Sequence, residues 1–298
     1  MPDPFFSVVI PTCNRPQILN RCLNRLKEQT LPKEIPFEIL VGDDREDGET
    51  KQFLETTHPE AIWIQGARKG PATNRNHAAL QAHGKWIIFI DDDTEPHPGF
   101  LLAYHDLFSK EQYQAFEGKI VCPDKLNSPF YRMPENLHGG LFTSGNLAFE
   151  KDAFFQMGAF DEDLVIMEDL EIAFRIKAKG YKYTFCEGAA VDHRAQRLGW
   201  KHLLWWALHH RWAILYDYKI GAKSLSISAP VACLGTTIKH LFLLLRTTWH
   251  LFSQHDPKTW KNRWFWQLWG WVSLPLTLPA LWRAEFKFRH LMQEETQS

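Results

Sequence analysis

The sequence predicts an α/β protein: a mostly parallel sheet with helices on both faces, followed by a helical, tryptophan-rich C-terminal region. Three observations carry this expectation. Short runs of branched and aromatic residues alternate with helix-patterned stretches up to about His193, the alternation that builds parallel sheets. Lysine and arginine exceed aspartate and glutamate by 7 from Leu198 onward, and the first 197 residues carry the opposite balance of −8. Of the 13 tryptophans, 11 lie between Trp200 and Trp282. The two parts therefore meet different surroundings, with a boundary at residue 197: 1–197 as the α/β domain and 198–298 as the helical region.

Each element has a local reason. Phe6–Ile10 reads as a strand. Pro16 suits the first turn of a helix whose Leu19, Leu23 and Leu26 share one face. Phe37–Val41 is a second strand, ending at Gly42-Asp43-Asp44, and Ala61–Ile64 is a third. Gly70-Pro71 opens a helix that the sequence closes at Gly84. Trp86–Ile90 is a buried strand leading into Asp91-Asp92-Asp93. Segment 123–141, rich in Pro, Asn and Gly, reads as a long loop of the kind that often forms a functional lid. Glu168-Asp169 starts a helix with Leu170, Ala173 and Phe174 as its apolar stripe and Gly180 as its end. Tyr181–Phe185 is strand-like and precedes Ala189–His193.

Composition narrows the class. The chain has 298 residues, 45% hydrophobic and 23% charged, with a net charge of −1. It is globular, and no nucleic-acid partner is expected. Five scattered cysteines form no C-x-x-C pair, which excludes a disulfide framework and a cysteine zinc site and fits a reducing compartment. No secretory signal opens the chain, so a cytoplasmic location is expected.

The aspartate triplet is the most chemically pointed feature. Three carboxylates at a strand's C-terminal end sit where open α/β sheets bind ligands. They repel unless a cation joins them, and hard oxygen ligands suit Mg²⁺ or Mn²⁺. A solvated acidic turn is the alternative for an isolated triplet.

The order of several segments resembles family-2 glycosyltransferases of bacterial, non-processive type. They are Ser7–Arg15, Leu40–Asp44, Gly70–Asn76, Phe89–Asp93, Gly145–Phe149, Gly158–Glu162, Glu168-Asp169 and His193. The resemblance implies the GT-A fold, a Rossmann-like, mixed and mostly parallel sheet for nucleotide-diphospho-sugars. It implies Mn²⁺ or Mg²⁺ held by a D-x-D pattern, with Asp91 at the ribose or a metal-bound water and Asp93 and His193 as metal-site residues. Asp92 is then the middle residue, turned elsewhere and replaceable. Asp169 would be the catalytic base and Glu168 an accompanying acceptor contact. Pro11, Thr12, Asn14 and Arg15 would form the nucleotide loop. Asp43 or Asp44 would bind a base with an imide N–H, which favours UDP. Arg75 would contact the nucleotide or brace the aspartate loop, and Gly145-Asn146 would begin the acceptor side.

The implied reaction is inverting transfer of a sugar from a nucleotide-diphosphate donor to an acceptor hydroxyl, in surface-polysaccharide or glycolipid synthesis. A polyprenyl-phosphate acceptor is the same-fold alternative. A nucleotidyltransferase is the alternative of another class, although Thr12–Pro16 lacks the glycine such a loop shows. An inactive nucleotide-sugar-binding protein is a third, against which Glu168-Asp169 argues. Gln196–Trp200 departs from the processive pattern Q-x-x-R-W, so single transfer is expected.

In the C-terminal region, Trp205, Leu208, Trp212 and Leu215 recur at helical spacing beside Lys201, Arg211, Lys219 and Lys223. This combination reads as a helix at a membrane interface or one packed on the protein. Trp264–Trp282 has 19 uncharged residues, broken by Pro275 and Pro279. Its aromatic residues favour a re-entrant or surface-lying segment over a span. Peripheral association with the inner face of the membrane through 198–298 is therefore expected.

Overall fold

Continuous burial from Phe6 to Thr12 marks the first strand as the interior of a sheet covered on both sides. The structure, a computed structural model, describes residues 3–45, 48–108, 113–124, 126, 128, 131–132, 134–198, 212–223, 231–239, 241–242, 245 and 260–295. It divides into two compact units: Met1–Asp124 with Met133–Arg194, and Lys125–Arg132 with Ala195–Ser298.

In the first unit the chain runs β1 (Phe6–Thr12), α1 (Pro16–Lys27), β2 (Phe37–Asp43), α2 (Glu49–Thr57), β3 (Ala61–Gln65) and α3 (Pro71–Leu80). It continues through β4 (Trp86–Ile90), β5 (Thr94–Pro96), α4 (Phe100–Phe108) and β6 (Ala115–Val121). After β7 (Tyr131–Arg132), which belongs to the second unit, come β8 (Asn146–Glu150), α5 (Lys151–Gln156), α6 (Glu168–Ala178) and β9 (Tyr183–His193). Eight strands form one sheet in the order β3-β2-β1-β4-β8-β6-β9-β5. Pairing is parallel from β3 to β4 and between β6 and β9, and antiparallel at β4/β8, β8/β6 and β9/β5. The mixed sheet with a parallel half agrees with the expected fold class.

Alternation along the strands sends side chains to two cores. Val8 and Ile10 of β1 and Ile88 and Ile90 of β4 pack with Leu19, Leu23 and Leu26 of α1 and with Phe100 and Tyr104 of α4. Val9, Ile87 and Phe89 face the other way, onto α3, α5 and α6. There Phe89 meets the rings of Phe149, Phe154 and Phe160.

Two local expectations are corrected. α3 ends at Leu80, with Gln81 as its right-handed cap, not at Gly84. Gly84 is needed for close approach instead: a Cβ there would lie 2.6 Å from Phe6 C and Ser7 N of β1, and its N–H donates to Ser7 Oγ (2.8 Å). In α6 the buried face is Glu168, Glu171, Ile172, Ala173 and Ile176. Leu170 and Phe174 of the predicted stripe are exposed. The heavily bonded Arg175 explains the inversion. It binds Glu171 and donates to the carbonyls of Met157 and Ala159, so the polar side of the helix is anchored inward. Gly180 does end the helix, with φ +73° and with Tyr181 N–H donating to Ile176 O (3.0 Å).

The second unit contains β7 paired with β10 (Gln196–Arg197), helical stretches at 212–219 and 231–239, and a helix Trp260–Glu295 that runs through Pro275 and Pro279. Trp205, Leu208, Lys201 and Arg211 lie outside the described residues; Trp212 and Leu215 are helical, and Leu215 is buried. Among the described residues no helix is long and apolar enough to cross a membrane.

Phe89→Ala removes a ring shared by three aromatic partners. It should destabilise the protein by about 3–5 kcal/mol, read as a lower denaturant midpoint with an unchanged m-value.

Candidate active site

β4 is a central strand, and the chain leaves it at Ile90 into a turn held by Thr94, whose N–H and Oγ1 both donate to Asp91 O (3.1 and 2.7 Å). The three aspartates then point to three different partners. Asp91 Oδ1 accepts from Arg75 NH2 (2.7 Å). Asp92 is fully buried. It accepts from Thr12 Oγ1 (2.6 Å) and Arg15 Nε (3.1 Å), with Arg15 NH2 at 2.5 Å. Asp93 faces Arg15 NH1 (3.4 Å) and His193 Nε2 (3.4 Å).

Asp92 does turn away from its neighbours, and its carboxylate is engaged by Thr12 and Arg15. It ties the loop after β1 to the loop after β4. Burial lifts its carboxyl to about 7, opposed by the Arg15 charge and the Thr12 hydrogen bond. Thr12 and Arg15, expected at the nucleotide, spend these polar groups on the triplet. Asn14 is exposed beside them in a left-handed conformation (φ +56°), and Pro11 is buried in β1 opposite Gly42.

His193 arrives by register. β5 and β9 are antiparallel, with Thr94 opposite His193, so the imidazole lands beside Asp93. His193 is buried, and Nδ1 lies 3.2 Å from the carbonyl of Arg194. A carbonyl only accepts, so Nδ1 carries a proton, and in the neutral imidazole Nε2 would present its lone pair toward Asp93. One ligand atom from each of Asp91, Asp93 and His193 lies within 4.8 Å of the others. Two carboxylate oxygens and a lone-pair nitrogen facing each other repel unless a cation lies between them. The donor set thus fits Mn²⁺ or Mg²⁺.

The second carboxylate pair stands at the start of α6. Met167, just before it, has φ +71°, and this left-handed residue swings Glu168-Asp169 into place. Glu168 is buried and binds Arg75 NH1 (3.0 Å), so Arg75 bridges Asp91 and Glu168. Burial raises the Glu168 carboxyl to about 7 against the Arg75 charge. Asp169 is partly exposed; Oδ2 accepts from Ser144 N–H (3.2 Å) and Oδ1 from Leu170 N–H (2.8 Å). Burial raises its pKa too, while these N–H groups lower it.

The Gly145-Asn146 pair is structural in its contacts. A Cβ on Gly145 would sit 3.0 Å from Asp91 Oδ2, so a side chain there would displace that carboxylate. Asn146 is buried, donates to Lys119 O and Ala189 O, and accepts from Tyr104 Oη. Asp43 is buried and accepts from Arg45 N–H and Trp63 Nε1. Asp44 accepts from Arg68 and Gly70 N–H, ahead of α3, and burial raises its pKa.

Three contributors escaped the sequence reading. Ser144 and Met167 act through backbone geometry and leave no side-chain signature. Glu117 is the third: buried in β6, it accepts from the N–H groups of Gly140 (2.9 Å) and Phe142 (2.7 Å) and from Asn136 Nδ2 (3.2 Å). It pins the loop leading to Ser144. A glutamate inside the strand Ala-Phe-Glu-Gly-Lys-Ile-Val was the available signal.

The sequence profile of Glycosyl transferase family 2 matches residues 7–160, half of the chain, spanning the aspartate triplet. The chain belongs to that family. It is a glycosyltransferase of GT-A fold. Glycosyltransferase AglE of Haloferax volcanii is 26% identical over 210 residues, 66% of this chain and 69% of AglE. The Campylobacter jejuni GalNAc(5)-diNAcBac-PP-undecaprenol beta-1,3-glucosyltransferase is 32% identical over 97 residues, 31% of this chain and 30% of that protein. The chain thus spans about two thirds of the first relative's length and under a third of the second's. Among solved structures, the Pyrobaculum calidifontis mannosyltransferase PcManGT with GDP-Man and Mn²⁺ superposes with a TM-score of 0.58 at 17% identity, covering 91% of this chain and 87% of the other. Staphylococcus aureus TarS with UDP-GlcNAc gives 0.54 at 20% identity, over 71% and 66%.

Arg75→Met leaves the carboxylates of Asp91 and Glu168 facing each other without a cation. It should cost about 3–5 kcal/mol in chemical denaturation. Adding Glu168→Gln should recover part of that loss, a coupling that a double-mutant cycle measures.

Proposed function

We propose that this glycosyltransferase is metal-dependent and inverting, and that it moves a sugar from a nucleotide-diphosphate donor, UDP favoured, to a hydroxyl on a lipid-linked or surface-glycan acceptor. One observation carries the reading. The Asp91–Asp93–His193 ligand set and the Asp169 carboxylate are joined through two short links, Arg75 with Glu168 and Gly145 with Ser144. Donor and base chemistry therefore occupy neighbouring walls of one site.

The step balances simply. Asp169 takes the proton of the acceptor O–H, the oxygen bonds to the anomeric carbon on the face opposite the phosphate, and the carbon–oxygen bond to phosphate breaks. The nucleoside diphosphate leaves with the electron pair, and one displacement inverts the centre. A divalent cation held by Asp91, Asp93 and His193 would supply Lewis-acid stabilisation of that leaving charge. Ser144 and Leu170 N–H groups orient the base.

The donor assignment is supported by the UDP-GlcNAc and GDP-Man complexes of proteins sharing the fold. Lipid-linked acceptors are supported by the relative whose name specifies an undecaprenol-diphosphate glycan. Leu170 and Phe174, exposed one turn apart directly after Asp169, offer an apolar surface at the point where such an acceptor approaches. The basic, tryptophan-rich residues 198–298 and five free cysteines support peripheral work at the cytoplasmic face of a membrane.

The decisive experiment screens UDP-, GDP- and dTDP-sugars for Mn²⁺-dependent turnover or slow hydrolysis. Asp169→Asn should lower transfer by about 10²–10⁴ while nucleotide binding survives; retained full transfer would overturn the assignment of the base. Asp93→Ala should instead abolish Mn²⁺-dependent donor binding in calorimetry.

pH gives a separate reading. Burial raises the pKa of Asp169, so its proton returns at a higher pH than for an ordinary aspartate. kcat/KM should fall as pH drops through that raised value, above the usual ~3.9, and Asp169→Asn should lose this limb of the profile.

A further inference from the structure

The second unit contains a helix whose two sides are reversed. Val231, Leu234, Ile238, Phe242 and Leu245 recur at spacings of three and four, so they share one face. Each is between 56% and 64% exposed. The opposite face carries Cys233 and Thr236, both buried. Thr236 Oγ1 donates to Glu285 Oε2 (2.9 Å), and Glu285 of the helix Trp260–Glu295 is fully buried. The same carboxylate binds Lys223 Nζ (2.5 Å) and Tyr218 Oη, and Lys223 also reaches Thr236 Oγ1 (2.6 Å). A helix in a water-soluble bundle turns large apolar residues inward and small or polar ones outward. This helix does the reverse, and its neighbour adds Trp282 and Phe286 to the exposed apolar residues.

We infer that this face is a membrane-docking surface, with Val231, Leu234, Ile238, Phe242 and Leu245 seated among the acyl chains of an anionic bilayer. The inference rests on the peripheral-membrane reading above and names the surface that performs it. Three observations choose a bilayer over a second protein. First, an ion pair and its hydrogen bonds are kept inside while the greasy residues face out, the arrangement suited to an apolar medium outside. Second, Arg283 and Lys287 are exposed on the helix that carries Trp282 and Phe286, and Lys239, paired with Asp217 (2.7 Å), is exposed on the helix of the stripe. With a balance of +7 from residue 198 onward, the unit is complementary to anionic headgroups. Third, among the described residues no helix is long and apolar enough to cross a membrane, so an exposed apolar face bordered by cations suits an interfacial position.

The test is flotation of the full chain with vesicles of phosphatidylcholine alone and of phosphatidylcholine with phosphatidylglycerol. Wild type should float with the anionic vesicles, and Ile238→Asp with Phe242→Asp should reduce the bound fraction about ten-fold or more. Both positions are exposed, so the thermal midpoint should hold and show that the loss is not unfolding. If wild type floats and the double variant floats equally, the assignment of this face is wrong while membrane association stands. If wild type stays at the bottom with both vesicles, both readings fall. Sedimentation of wild type as a dimer that the same substitutions split, with vesicle binding unchanged, would assign the face to a second copy and overturn the proposal.

Discussion

The candidate site depends on one buried guanidinium. Arg75 is almost wholly enclosed, yet it holds Asp91 with one nitrogen and Glu168 with another. The two carboxylates come from loops 77 positions apart, one following β4 and one opening α6. At Glu168, burial and the nearby Asp91 charge favour the neutral acid, and the Arg75 charge opposes them. A guanidinium stays charged in the interior and offers two separate donors, which lysine could not do in the same geometry. Arg75 therefore sets both the charge and the spacing of the aspartate loop relative to the start of α6.

Sheet topology supplies the remaining placement. The parallel half, β3-β2-β1-β4, ends its strands on one edge and brings the β1 loop, Asp43-Asp44 and the triplet together there. The antiparallel half returns β8 and β9 to the same edge from later sequence. Gly145-Asn146 enters β8 beside Asp91, and the β5/β9 pair delivers His193 to Asp93. A cluster of candidate ligands from residues about 100 apart thus follows from two strand registers.

Much of this was legible in the sequence because it is periodic or typed. Strands β1 to β4 are runs of branched and aromatic residues, and Pro16 and Pro71 open helices as their fixed φ requires. That Asp91, Asp93 and His193 come together was legible by residue type and order. What was not legible depends on tertiary direction. Leu170 and Phe174 match an apolar stripe, yet Arg175 and Glu171 claim the inner side of α6. Gly84 looks like a helix end but answers a steric demand from β1. Ser144 contributes an N–H that any residue carries. Asn146 looks like a ligand contact, although Tyr104 and two carbonyls consume its amide. Propensity reports the chain's local preference, and these positions are decided by partners distant in sequence.

The triplet shows why three aspartates occur where two could bind a cation. The chain turns over Asp91–Thr94, and in that turn Asp91 and Asp93 face His193 while Asp92 takes another direction. On that other side Asp92 meets Thr12 and Arg15, and Arg15 also reaches Asp93. The middle carboxylate fixes the β1 loop to the β4 loop, and through Arg15 it restrains Asp93. Asp91 is restrained from the opposite direction by Arg75. Each outer carboxylate is thereby held by an arginine while keeping an oxygen within reach of His193 Nε2. Preorganisation of this kind removes the rotational freedom that a ligand set otherwise loses when it gathers around a cation. Asp92 therefore braces the loop that carries Asp91 and Asp93.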